Sequence, residues 1–158
     1  MGVEITGIKE LSEAMKRLGD GLNRKIAAKM VASAGTVVKK EAKRIAQQKG
    51  LRKTGTLINN IAIKREKQVP ANTVQYNVGV RHGREYGKKK NVVKYLAVGR
   101  RGRIVTKYKN DSFYWRFLEF GTKNISPRKF IEPALQSKGT EAIAAMQAVI
   151  EKEILKVR

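Results

Sequence analysis

Glu119 is the one carboxylate set among Trp115, Phe117, Leu118 and Phe120, and an acid in an aromatic stretch invites weighing as a general acid. A catalytic acid needs a partner carboxylate or a histidine in reach. The only histidine is His82, in a Gly- and Lys-rich loop, so one chain cannot build a His-based triad or a multi-His metal site. The spacing instead predicts that Glu119 pairs with Arg116, three residues away on the same helix, or with Arg128, fixing a turn or a subunit contact. Gly83, Gly87, Gly99 and Gly102 lie among many lysines, yet no GxxxxGK[ST] string follows a strand and opens a helix. These glycines read as turns in hairpins. No catalytic, cofactor or metal site is expected, and the chain does not read as an enzyme.

The remaining chemistry is charge. The chain carries 35 Lys/Arg against 13 Asp/Glu, a formal net charge of +22. Residues 49–110 hold 17 Lys/Arg against 2 Asp/Glu, so the middle third supplies most of it. Within residues 81–109 the basic side chains are Arg81, Arg84, Lys88, Lys89, Lys90, Lys94, Arg100, Arg101, Arg103, Lys107 and Lys109, with Glu85 as the one acid. Tyr86, Tyr95 and Tyr108 interleave with them. Three readings stay open. The basic residues neutralise phosphates of DNA threading a channel, with tyrosines stacking on bases; they dock on an acidic face of a neighbouring protein; or they form a solvated loop, with too few apolar residues to fold alone.

The elements that must position these residues follow from periodicity. Residues 3–5 alternate like a strand, and Ile8, Leu11, Met15 and Leu18 mark a first helix. After a break at Gly19, Asp20 and Gly21, a long helix is expected over residues 22–48. Its stripe is Ala27, Val31, Ala34, Val38, Ala42 and Ile45, and Gly50 ends it. Ile61 and Ile63, then Val74, Tyr76, Val78 and Val80, switch to period two around a turn at Pro70, Ala71 and Asn72, which predicts a hairpin. Residues 92–98 and 103–108 fit a second hairpin closed by Gly99, Arg100, Arg101 and Gly102, with a helical turn over 92–98 as the alternative. An aromatic helix follows, capped by Asp111 or Ser112 and stopped by Gly121. Pro127 restarts the chain, Phe130, Ile131, Ala134 and Leu135 form an apolar stripe with Pro133 tolerated in a first turn, and Ile143, Met146, Ile150 and Ile154 mark a C-terminal helix. The expected architecture is one α+β domain over residues 1–158. Its long N-terminal helix and C-terminal helix pack on an antiparallel sheet, and residues 81–110 form an extended basic arm or hairpin loop. Trp115, Phe117, Phe120 and Phe130 are expected to cluster in the core, with a share open to burial between subunits.

There is no cysteine, so no disulfide framework exists, which suits assembly in a reducing cytoplasm. The N-terminus lacks the layout of a secretory signal, and no apolar run approaches the ~20 residues of a membrane helix. No membrane partner is expected.

Two blocks carry a resemblance. Trp115-Arg116-Phe117-Leu118-Glu119-Phe120-Gly121-Thr122 and Pro127-Arg128-Lys129-Phe130-Ile131-Glu132-Pro133-Ala134-Leu135 resemble the signature of a long-tailed, lambdoid phage tail-component or neck family. A weaker element, Thr54-Gly55-Thr56-Leu57 with Ile61, also fits, whereas Lys129 departs from the proline usual at its position. The resemblance implies a virion structural protein of the head-to-tail junction, assembled in the host cytoplasm as a cyclic, often six-fold, homo-oligomeric ring. Neighbouring neck, tail-terminator or tail-tube proteins are the implied partners, with non-specific contact to genomic DNA in the channel. Trp115, Leu118, Glu119, Phe120, Gly121, Thr122, Pro127, Arg128, Phe130 and Pro133 are then expected in the motif's fold and subunit packing. Arg81, Arg84, Lys88, Lys89, Lys90, Arg100, Arg101, Arg103, Lys107 and Lys109 are expected to contact the partner or DNA. The alternative, resting on charge alone, is a stand-alone basic nucleic-acid-binding protein.

Overall fold

The longest element, α1 (Asp20–Gln48), buries Ile26, Met30, Ala34, Val38, Ala42 and Ala46 at steady four-residue spacing, one face of a 3.6-residue helix. The computed structural model describes residues 20–51, 54–71 and 73–156, so the strand expected at residues 3–5 and the helix expected at 8–18 lie outside them. Two details of α1 differ from expectation. Asp20 and Gly21 are helical, not part of a break. The buried stripe also starts one residue earlier than expected, because Ile26 and Met30 fill space against Ile150 while Ala27 and Val31 are half-buried. The helix ends as Gly50 predicts: Gly50 takes φ 67°, the Leu51 N–H donates to Ala46 O at 3.0 Å and the Gly50 N–H to Gln47 O at 3.0 Å. That pair of bonds satisfies the last carbonyls and turns the buried Leu51 inward.

A short helix α2 (Thr56–Asn60) follows and feeds directly into β1 (Ile61–Arg65). β1 pairs antiparallel with β2 (Tyr76–Val80), in the register Ile61 opposite Val80 and Arg65 opposite Tyr76. Alternation puts Ile61 and Val80 on the face toward α1. Gly35 makes this approach close: a Cβ there would stand 3.1 Å from the Ile63 Cγ2. The next elements are α3 (Gly83–Gly87), β3 (Lys94–Val98) and β4 (Ile104–Tyr108), the last two forming the second antiparallel hairpin. Two-stranded sheets are therefore what the described residues contain.

The aromatic helix α4 (Trp115–Phe120) leads to α5 (Glu132–Ile154), a continuous 23-residue helix. It absorbs both the apolar start and the C-terminal stripe that the sequence pattern set apart. Pro133 sits in its first turn, where a missing N–H costs nothing. α5 lies along α1, with the Ser33 hydroxyl donating to Ala145 O at 3.1 Å and Lys29 bonded to Glu153 at 2.9 Å. Its inward residues are Ala134, Gly139, Ala142, Ile143 and Ile150, and Leu135, expected in the stripe, faces solvent. The main core gathers Val38, Ala42, Leu57, Ile61, Phe130 and Ala134 where α1, α2, the first hairpin and α5 meet. The α+β class and the helix–hairpin order match the sequence reading.

Candidate functional site

Glu119 is 3% exposed, and both its oxygens are used by the main chain. The N–H of Phe130 donates to Oε2 at 2.9 Å, that of Ile131 to both oxygens at 3.2 Å, and that of Glu132 to Oε1 at 3.0 Å. These amides lead into α5, where helix geometry leaves N–H groups without partners and where the dipole favours an anion. Glu119 thus caps α5 from another helix. The expected pairs with Arg116 or Arg128 do not form. The Arg116 guanidinium lies over the Trp115 ring at 5.6 Å, and Arg128 contributes its backbone, donating N–H to Leu118 O at 2.7 Å.

The rest of the motif closes the same corner. Gly121 has φ 74°, and a Cβ there would meet Ile125 O at 2.8 Å and Pro127 N at 3.1 Å, so only glycine fits. Thr122 and Ile125 bridge across the turn, the Thr122 N–H donating to Ile125 O at 2.9 Å. Phe130 is wholly buried, and Trp115 and Leu118 pack against the core around it. The aromatics do not form one cluster. Phe113, Phe117 and Phe120 are exposed, Phe120 at 72%, because α4 is short and the corner covers only one of its faces. Neither expected cap serves α4. Asp111 Oδ2 accepts the Gly83 N–H at 2.9 Å, and the Ser112 hydroxyl is buried without a partner.

The basic stretch divides into two places. Arg84 of α3 and the flanking Arg81, Lys88 and Lys89 line a groove of about 790 Å³, which also takes in Lys64 of β1 and Trp115 and Arg116 of α4. Lys90 is exposed beside it. Arg100 and Arg101 sit in the tip of the β3–β4 hairpin, and Arg103, Lys107 and Lys109 run along its return strand, all exposed. Tyr86 and Tyr108 pack edge to face at 6.5 Å at the hairpin's base, and Tyr95 stays exposed. Sequence reasoning missed Lys64 and Arg116 as groove residues, since they come from segments far from residues 81–89. No local signal marks them.

The hairpin is also apolar. Leu96, Val98 and Ile104 share one of its faces and are 72%, 73% and 72% exposed, with Val98 directly opposite Ile104. Beyond its basic tip the hairpin therefore presents uncovered aliphatic surface.

The geometry thus gives an α+β protein in which Glu119 and Gly121 close a corner between α4 and α5 and whose exposed surfaces are basic, aromatic and aliphatic. The chain belongs to the HK97-gp10-like family of phage tail components: the family model, described as "Bacteriophage HK97-gp10, putative tail-component", matches residues 9–121, well over half the chain. The matched residues include Trp115 to Gly121 and stop before the Pro127 block. No curated protein and no solved structure matches the chain.

Proposed function

We propose that the chain is a head-to-tail joining protein of the phage virion, a neck or tail-completion subunit that works without catalysis, as a ring. The observation that carries this reading is the pair of apolar surfaces left uncovered. One is the aromatic surface of Phe113, Phe117 and Phe120 beside the Glu119-capped corner; the other is the Leu96, Val98 and Ile104 face of the second hairpin. Uncovered apolar patches on a soluble chain mark contact surfaces. Two different patches on one chain suit a heterologous contact, the kind that closes rings. Family membership supports a virion role, and the basic hairpin tip would then meet a neighbouring virion protein or the DNA in the channel. The test is genetic: removing the gene from the phage that encodes the chain should leave filled heads and complete tails unjoined under the electron microscope. Normal joined particles would remove the proposal.

A further inference from the structure

We propose that the groove beside α3 is a docking site for an acidic, extended peptide segment of a neighbouring protein. The inference deepens the assembly reading, on which the source of the segment rests. Its floor is the outward face of the first hairpin, where Ala62 stands opposite Gly79 and Lys64 opposite Asn77. Small residues there leave room for a chain to lie close. Trp115 and Arg116 line it together with α3, Arg81, Lys88 and Lys89.

The groove has a single anion of its own, already paired. Glu85 is the one carboxylate in its lining, and Lys64 holds it in an ion pair. Arg81, Arg84, Lys88, Lys89 and Arg116 make no ion pair among the described residues. Lys89 is half-buried, and its ammonium donates to the neutral Oδ1 of the buried Asn60. Burial pushes the Lys89 pKa down, and Arg81 and Lys43 push it the same way. A carboxylate would supply the missing counter-charge, in a partly desolvated setting where charge-assisted bonds are strong. The groove's size decides between ligand classes. About 790 Å³ is the scale of a pocket, enough for a short length of one chain. A DNA duplex presents its phosphates on the outside of a wide rod, so it would meet the exposed side chains at the rim and not the half-buried Lys89. Trp115 and the Ala62 methyl in the lining suit the apolar stems of acidic side chains.

The chain's single tryptophan is Trp115, so its emission reports occupancy of the groove directly. The full chain is titrated with a blocked hexapeptide of alternating aspartate and glutamate, with its amide counterpart, with inorganic phosphate and with duplex DNA. The acidic peptide should change Trp115 emission saturably, and the amide peptide and phosphate should not. The exposed pair Arg81→Gln and Lys88→Gln should weaken peptide binding about tenfold, while Arg100→Gln with Arg101→Gln at the hairpin tip should leave it unchanged. Equal weakening by the tip variants would reduce the effect to overall charge and overturn the site. So would a phosphate response equal to the peptide's, displacement of the peptide by duplex DNA, or no saturable change. Unjoined heads and tails on gene loss, alongside no peptide response, would remove the groove and leave the assembly reading standing.

Discussion

The carboxylate of Glu119 accepts the backbone N–H of Phe130 at 2.9 Å, although the two lie eleven positions apart in the chain. Through that bond and its neighbours to Ile131 and Glu132, the aromatic helix α4 fixes where α5 begins. α5 in turn lies along α1 and adds Ala134, Ala142 and Ile150 to the core, so one side chain links the corner to the whole fold.

Replacing Glu119 should therefore be costly. Glu119→Gln keeps the shape but puts an amide NH₂ against backbone donors and removes the charge, which should cost about 2–3 kcal/mol. Urea unfolding followed by far-UV circular dichroism measures it. A change below about 0.5 kcal/mol, the range of an ordinary surface substitution, would contradict the capping role.

Gly121→Ala tests the other half of the corner. The left-handed backbone and the 2.8 Å approach of Ile125 O both oppose a Cβ. A loss of about 1–3 kcal/mol is expected, read as a lower urea midpoint with an unchanged slope. A neutral result would mean the turn reshapes freely.

Acid should loosen the packing of α1 on α5. The Lys29 ammonium, and then that of Lys156, hold the Glu153 carboxyl below its ordinary value. A carboxyl depressed in the folded state stabilises the fold above its unfolded pKa, near ~4.3. That contribution is lost as pH falls through the folded pKa. The urea midpoint should drop as pH is lowered past about 4, and Glu153→Gln should lower it at neutral pH while flattening its fall in acid. An identical acid profile for the variant would place the sensitivity elsewhere.

Phe120→Asp separates folding from assembly. Phe120 is exposed, so the isolated chain should keep its stability to within about 0.5 kcal/mol. Complementation of a gene-deleted phage by this variant should nonetheless fail to join heads to tails. Full rescue would show that the aromatic surface is not a subunit contact.

Much of this was legible in the sequence, and the misses have physical causes. Both hairpins, the Gly50 stop and Pro133 in a first helical turn follow from local rules of period and backbone freedom. The stripe of α1 was misplaced at its start because Ile26 and Met30 compete with Ala27 and Val31, and only the position of Ile150 decides between them. Glu119 was assigned to arginines because charge pairing can be read from spacing, whereas capping of a distant helix start depends on a turn whose direction Gly121 and Pro127 set in space. The groove was half visible. Arg81 to Lys89 are contiguous in the chain, but Lys64 and Arg116 join them only through the fold.

The proposed ring would stand where tail meets head. A cryo-EM reconstruction of the native particle neck, with this chain traced in it, tests that placement. A closed ring is expected at the junction, with Phe117 and Phe120 or the Leu96, Val98 and Ile104 face buried between neighbouring copies. Absence of the chain from mature particles, or a ring in which all of those side chains stay in solvent, would contradict it.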